Sequence, residues 1–438
     1  MRVLYRTFGC KANQYDTERM REELEARGLR TTELPGEARL CVVNTCTVTN
    51  QADADARRFI RRLRREQPDV AVVVAGCSSA LKPEAYREME GVVGVVEGHD
   101  PVEVAHAALS SSLVQLELRW PLDQIDTEPV AGELLRRRAG GTRGWLKIQD
   151  GCDRKCSFCA TRLARGASRS REPEEVVREA RILARTHPEL VLTGIHIGHY
   201  GRDLETPSSL SGLLALLLER VPEVRFRLGS VEATEVDDLL LDLLETAGDA
   251  LAPHLHMPLQ SGSDRILKAM RRWHTRAMYL DRAREIAHRL PVLGLGADII
   301  TGFPGEGEED HVLTRSLVEE LPFTYLHVFP FSPRDGTAAS ELPDPVPQRV
   351  AGERSRELRE LGVEKGRRYR EARVGETARG ILEGEGGWAL TEDYLRVRAK
   401  GELGTDAGLL AARLQGSGEH LYIELPQKPM SISGSSSR

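Results

Sequence analysis

Short apolar runs alternate with longer amphipathic stretches, and the alternation changes character twice along the chain. Over the first quarter, the runs RVLYRTFGC (2–10), LCVVNTC (40–46) and VAVVVAGC (70–77) have strand length. Between them the pattern predicts one helix from about 16 to 27, closed by Gly28. A second runs from about 52 to 66, with Ala52, Ala56, Phe59, Ile60 and Leu63 on one face. Strand–helix–strand alternation implies a parallel sheet, whose strand ends share one edge where ligands bind. Each of these runs ends in a cysteine: Cys10, Cys46 and Cys77. Residues far apart in sequence are thereby predicted to lie close together, and three thiolates on one edge can hold a metal cluster. Cys41 lies inside an apolar run and reads as a small core residue.

A second series of runs begins with WLKIQD (145–150). LVLTG (190–194), VRFRLGS (224–230), HLHMPL (254–259), GLGADIITG (294–302) and TYLHVFPF (324–331) follow. Helical stretches such as 172–186 and 209–221 separate them. Six βα units predict a partial (β/α)6 barrel with its site at the C-terminal strand ends. The Pro-rich segment ELPDPVPQ (341–348) precedes a charged helix, 348–370. The remainder, with short β-rich runs and turn glycines Gly384, Gly386 and Gly387, predicts a small antiparallel barrel. The expected fold class is α/β. The division is 1–110, a linker over 111–143, the central barrel over 144–347, a connecting helix over 348–370, a small β-barrel over 371–425 and a disordered tail over 426–438.

Composition narrows the function. A chain of 438 residues exceeds one ordinary domain. No apolar run approaches the ~20 residues that span a bilayer, and the N-terminus lacks the apolar core of a signal peptide. A cytoplasmic protein with no membrane partner is expected, and the absence of heptads predicts a monomer. Net charge is −6, yet residues 136–171 hold eleven Lys or Arg against only Asp150 and Asp153. An acidic chain with one basic stretch points to a polyanion at one place. The cysteine count is seven, which is odd, and with no secretory signal it favours metal or redox chemistry over disulfides.

The strongest pattern is Cys152-x3-Cys156-x2-Cys159, directly after the first barrel run. Three thiolates on one loop can bind three irons of a cubane and leave the fourth open. An open iron can chelate the amino and carboxylate groups of S-adenosylmethionine (SAM), whose reductive cleavage yields a 5′-deoxyadenosyl radical. Phe158 can cover the cluster or pack on adenine. A structural zinc site would need a second knuckle or a histidine at finger spacing, and neither follows. Polar or bare positions just past barrel strands are candidate SAM contacts: Gly194, Ser230, Glu232, Gln260, Ser261 and Asp298.

The motifs GCKANQYDTE (9–18), NTCTVT (44–49), GWLKIQDGCDRKCSFC (144–159), LTGIHIGHYG (192–201), HLHMPLQSGSDRILKAMRR (254–272) and ADIITGFPGE (297–306) resemble those of the radical SAM tRNA methylthiotransferases. The C-terminal barrel resembles their TRAM module. The isopentenyladenosine branch typically has GCQMN and the branch acting on a ribosomal-protein aspartate GCPKN. GCKAN resembles the branch acting on N6-threonylcarbamoyladenosine (t6A) beside the anticodon. Two departures stand out: Ser78–Ser79–Ala80 after the third cysteine, and ATRLARG without a proline after Cys159.

The resemblance implies two [4Fe–4S] clusters, with SAM as methyl donor and radical source. Cys152, Cys156 and Cys159 would hold the radical-generating cluster, and Cys10, Cys46 and Cys77 an auxiliary cluster carrying the transferred sulfur. The expected product is 2-methylthio-t6A at position 37 of tRNA. The C2–H of adenine is neither acidic nor activated, so acid–base groups alone cannot replace it with sulfur. Expected partners are the tRNA anticodon arm, an electron donor and a sulfur source. Candidate phosphate contacts are Arg162, Arg165, Arg169 and Arg171 after the cluster loop, and Arg367, Arg368, Arg370 and Arg373 near the C-terminal barrel. The rival readings are methylthiolation of isopentenyladenosine tRNA or of a protein side chain, a zinc-binding RNA module, and a non-enzymatic iron–sulfur protein that binds RNA or senses redox state.

Overall fold

A computed structural model describes residues 1–110, 132, 134–138, 141–384, 387–401 and 408–425. Most of the expected 111–143 linker, Gly386 and the expected tail lie outside these residues.

The N-terminal sheet has five parallel strands in the order Arg30–Thr31, Arg2–Thr7, Leu40–Thr45, Ala71–Gly76, Val92–Val95. Leu40–Thr45 and Ala71–Gly76 are buried at every position. This is why they read as continuous apolar runs: helices cover a parallel sheet on both faces. Val3, Met20, Leu24, Val42, Val73 and Val104 form the core on one side. Leu4, Cys41, Val43, Ile60, Val72 and Tyr86 form it on the other. The helix expected from 16 instead begins at Lys11, directly after Cys10. Its first turn, Lys-Ala-Asn-Gln, reads as loop because it is mostly polar, yet Asn13 is buried and satisfied by backbone oxygens of other segments.

The central unit consists of two parallel ladders of three strands. One contains Arg143–Lys147, Glu189–Thr193 and Arg225–Leu228. The other contains His254–His256, Gly294–Thr301 and Tyr325–Pro330. Parallel bridges between Phe226 and Leu251 and between Ser230 and His256 join them into one curved, open sheet. The expected first strand divides at Ile148. Gln149–Asp150 leaves the ladder and pairs antiparallel with Arg169–Ser170, which anchors both ends of the cysteine loop. The expected 254–259 strand shortens to His254–His256, because Pro258 has no N–H for the ladder. The helices Pro173–Ala184, Leu210–Arg220, Asp238–Thr246, Arg276–Arg289 and Glu308–Glu320 intervene between successive strands.

The helix Gln348–Ala372 packs on the edge strand Tyr325–Pro330 and delivers the chain to a closed five-stranded barrel. Its strands are Thr377–Glu383, Trp388–Thr391, Arg396–Lys400, Leu409–Gly416 and Leu421–Glu424. The barrel is antiparallel except where Arg396–Lys400 pairs parallel with Leu421–Glu424. It docks where the barrel strands of the central unit begin. There Arg225 donates to Arg379 O (2.7 Å), and Arg227 donates to Glu392 O and Thr391 O (2.9 Å each). Both guanidiniums also pair with the fully buried Glu189. Among the described residues no helix is long and apolar enough to cross a membrane.

Candidate functional site

Three strand ends of the N-terminal sheet converge on Asn13. Its Nδ2 donates to Phe8 O (2.9 Å) and Thr45 O (2.7 Å), tying two of those ends together. Its Oδ1 lies 3.9 Å from Cys10 Sγ and 3.8 Å from Cys77 Sγ. Glycine precedes two of the cysteines for steric reasons. Gly9 has φ +109°, and a Cβ there would stand 2.8 Å from both Cβ and Sγ of Cys46. Gly76 has φ +105° and lies against Asn44 and Thr45, with no room for a side chain. Val48 N donates to Cys46 Sγ at 3.3 Å. Burial pushes the Cys77 thiol up to about 12 and raises that of Cys46, with nearby donors opposing the rise. Cys41 is fully buried in the core with its thiol also pushed up to about 12, away from this edge.

The second thiol set lies on the loop after Asp150. Cys152 N donates to Gly166 O (3.1 Å), folding the loop back on itself. Cys152 Sγ is 3.7 Å from His196 Nδ1, and Arg272 Nη1 donates to Cys156 Sγ at 3.7 Å. Thr161 N donates to Cys159 Sγ at 3.4 Å. All seven cysteines are free. Among the described residues, neither set of thiols closes to within 4.8 Å, as the ligands of one tetrahedral ion would. Spread thiols with amide and guanidinium donors aimed at them suit a multi-iron cluster, whose sulfurs take hydrogen bonds of this kind.

A cavity of about 140 Å³ lies beside Cys159, the one of the six cysteines that lines it. Thr47, Val48 and Thr49, just past Cys46, line one wall, and Phe158–Thr161 line another. Gln260, Asp298, Ile300 and Phe329 come from the barrel. Phe158 also packs on Ile266, Met270 and Phe303. Asp298 accepts from His256 Nε2 (3.0 Å) and pairs with His327 Nδ1 (3.2 Å). Burial alone would raise its carboxyl, but the two imidazoles hold it well below the usual range. Glu232 is buried and ion-paired with Arg272, the residue beside Cys156. Ser230 is exposed at its bridge to His256.

Packing constrains two of the expected SAM contacts. Ser261 is fully buried, bonded to Thr314 and to Ser263 N, and shapes a turn. At Gly194 a Cβ would run into Gln149 and Ile197, so packing too requires a bare backbone there. Sequence reasoning missed Arg272, the paired His256 and His327, and the cluster in which Glu235 accepts from His196 (2.8 Å) beside His199. Only their placement near barrel strand ends could have marked them.

Residues 2–98 match a family described as the uncharacterized protein family UPF0004, and residues 146–318 match the radical SAM superfamily. Over 373 residues the chain is 38% identical to the threonylcarbamoyladenosine tRNA methylthiotransferase MtaB of Bacillus subtilis (strain 168), a match covering 84% of this chain and 81% of that one. Over 412 residues it is 34% identical to the enzyme of the same name from Aquifex aeolicus (strain VF5), covering 92% and 97%. The chain belongs to the radical SAM tRNA methylthiotransferase family. A tRNA-2-methylthio-N(6)-dimethylallyladenosine synthase of Staphylococcus aureus (strain Newman) is 32% identical, covering 81% and 70%. Among solved structures, the radical SAM methyltransferase TsrM from Kitasatospora setae shares the fold, with TM-score 0.54 at 17% identity over 77% of this chain and 74% of that one. Members of the radical SAM superfamily use a [4Fe–4S] cluster and SAM, and this family's substrate is tRNA.

The arginines expected to serve this methylthiotransferase as RNA contacts divide by burial. Arg165 has a fully buried side chain, bonded within the protein, so it cannot reach a phosphate. Arg171 is held by Glu175 and Glu179. Arg373 is buried against Asp393 and Glu392. Arg367 and Arg368 both pair with Glu364, and Arg370 donates to Gly418 O (2.5 Å). Arg162 and Arg169 lie on the outside of the cluster loop. A basic, aromatic groove of about 860 Å³ goes beyond the sequence expectations. In it Arg396 and Arg398 lie 4.6 and 3.9 Å from the Trp388 ring centroid, and Lys400 lies 3.3 Å from that of Tyr422. Strand pairing brings these residues onto one barrel face, so no linear motif marks them.

Proposed function

We propose that this protein replaces the C2 hydrogen of t6A at position 37 of tRNA with a methylthio group. The observation that carries the reading is the cavity whose wall combines the residues just past Cys46 with the Phe158–Thr161 segment of the cluster loop. Cys152, Cys156 and Cys159 would hold the SAM-binding [4Fe–4S] cluster, and Cys10, Cys46 and Cys77 a second one. When bound, these groups supply the one-electron chemistry and the sulfur that an unactivated aromatic C–H requires.

The protein's own residues orient and enclose. Arg272 and the amides of Val48 and Thr161 place positive dipoles on the cysteine sulfurs. Phe158, Ile300 and Phe331 belong to the apolar part of the wall, where they keep water from its inner side. Asp298, kept ionised between His256 and His327, and Gln260 offer polar contacts for a nucleobase edge or its substituent. Arg396, Arg398 and Lys400, with Trp388 and Tyr422, form an RNA surface that combines phosphate charge with stacking platforms. An electron donor and a sulfur source complete the set of partners.

The test is anaerobically reconstituted protein with SAM, a strong reductant and tRNA bearing t6A, followed by nucleoside mass spectrometry. A nucleoside heavier by one methylthio group is expected. Modification of isopentenyladenosine tRNA or of ribosomal protein instead would replace the substrate. Unchanged substrates without 5′-deoxyadenosine, from protein with intact clusters, would remove the enzymatic reading.

A further inference from the structure

Arg165 links the two thiol sets. The helix Thr161–Arg165 starts two residues after Cys159 and places its last side chain against the opposite domain. That guanidinium is fully buried, and Arg165 Nε donates to Cys77 Sγ at 3.1 Å. Nη2 donates to Asn13 Oδ1 and Asp16 Oδ2, each at 2.7 Å. Nη1 donates to Asp150 Oδ1 at 2.8 Å and lies 3.3 Å from His99 Nε2. Asp16 and Asp150 are themselves joined by Lys147 (2.7 and 2.6 Å). One planar fork thus binds a sulfur, an amide oxygen and two carboxylates. Lysine, a single point donor, cannot reproduce that set.

Burying a cation is costly unless it is paired and bonded, and this one is paired twice. The two carboxylates alone would satisfy it. The Nε–Sγ hydrogen bond is a further commitment, aimed at the only one of the three N-terminal cysteine sulfurs that receives a guanidinium among the described residues. Hydrogen bonds and net charge at cysteine sulfur are among the levers that set an iron–sulfur reduction potential.

We propose that Arg165 is a positioning residue that raises the reduction potential of the cluster held by Cys10, Cys46 and Cys77 and keeps that cluster in register with the loop of Cys152, Cys156 and Cys159. This rests on reading Cys10, Cys46 and Cys77 as the ligands of a second cluster. Asp150 tempers the effect by drawing guanidinium charge away from the sulfur.

The test uses the full chain with Cys152, Cys156 and Cys159 all changed to alanine, so that only the N-terminal set can bind iron. Iron content, thermal melting and an anaerobic redox titration followed by electron paramagnetic resonance are read on each sample. In that background Arg165→Lys keeps the charge for Asp16 and Asp150 but lacks the Nε donor, and the midpoint shifts to lower potential. Asp150→Asn leaves Arg165 in place, and the midpoint shifts to higher potential. Opposite shifts at equal iron content support the proposal. Unmoved midpoints in both variants, or shifts of the same sign, overturn it. Should Arg165→Lys fail to fold, Arg165→Gln, which removes the cation beside Cys77, takes its place and must lower the midpoint; an unmoved or raised midpoint overturns the proposal. Background protein that binds no iron overturns the second-cluster reading and the proposal with it.

Discussion

Arg272 shares its guanidinium between Cys156 Sγ and the buried Glu232. Arg272→Ala would leave a buried carboxylate without its cation, a loss of about 3–5 kcal/mol for pairs of this kind. A fall of the urea midpoint is expected, and one unchanged within error would show that Glu232 finds another partner. Gly9→Ala would place a methyl group on Cys46, so iron at the N-terminal set should be lost while the other set stays loaded, roughly half the total. Cys41→Ala should leave iron content intact, because that thiol sits in the sheet core. Iron per chain measured on both variants checks the pair. At this scale the cysteines were legible because each follows a turn or strand end in a specific local pattern. The role of Arg165 was not, since a basic stretch looks alike whether its charges are paired inside or facing solvent.

Among the elements, the strand Arg396–Lys400 presents alternate side chains to one face, and Trp388 on the paired strand completes the stack. Replacing Arg396 and Arg398 together by alanine should weaken tRNA binding and reduce its log–log salt slope by about 2, one for each phosphate no longer neutralised. The same change at Arg367 and Arg368, which Glu364 already neutralises, should leave the slope near its original value. Fluorescence anisotropy across a salt series separates the two surfaces. A slope change confined to the Arg367 and Arg368 variant would return the RNA face to the connecting helix. The helix itself was readable from its charge and length. The groove was not, because it forms only when strands separated in sequence pair side by side.

Across the whole molecule, Glu189, Arg225 and Arg227 fasten the central unit to the C-terminal barrel. Burial alone would raise the Glu189 carboxyl, but Arg227 and Arg225 hold it at about 2. A depressed carboxyl contributes stability that is present above its unfolded value near 4.5 and is lost as pH falls toward 2. Urea midpoints should therefore decline between about pH 5 and pH 3 more steeply in wild type than in Glu189→Gln. At pH 7 the variant should itself be less stable, since two buried guanidiniums lose their counter-charge. Equal slopes would assign the acid lability elsewhere. The sequence by itself determined the order of elements, the three-part architecture and the six candidate thiols, because hydrophobic period and cysteine spacing are local signals that survive in one dimension. Only the tertiary structure decided which charges are buried, that the residues after Cys46 and the Phe158–Thr161 segment wall one cavity, and that Arg165 reaches from one set to a sulfur of the other. The last of these is a contact between residues 88 positions apart, and no local pattern encodes it.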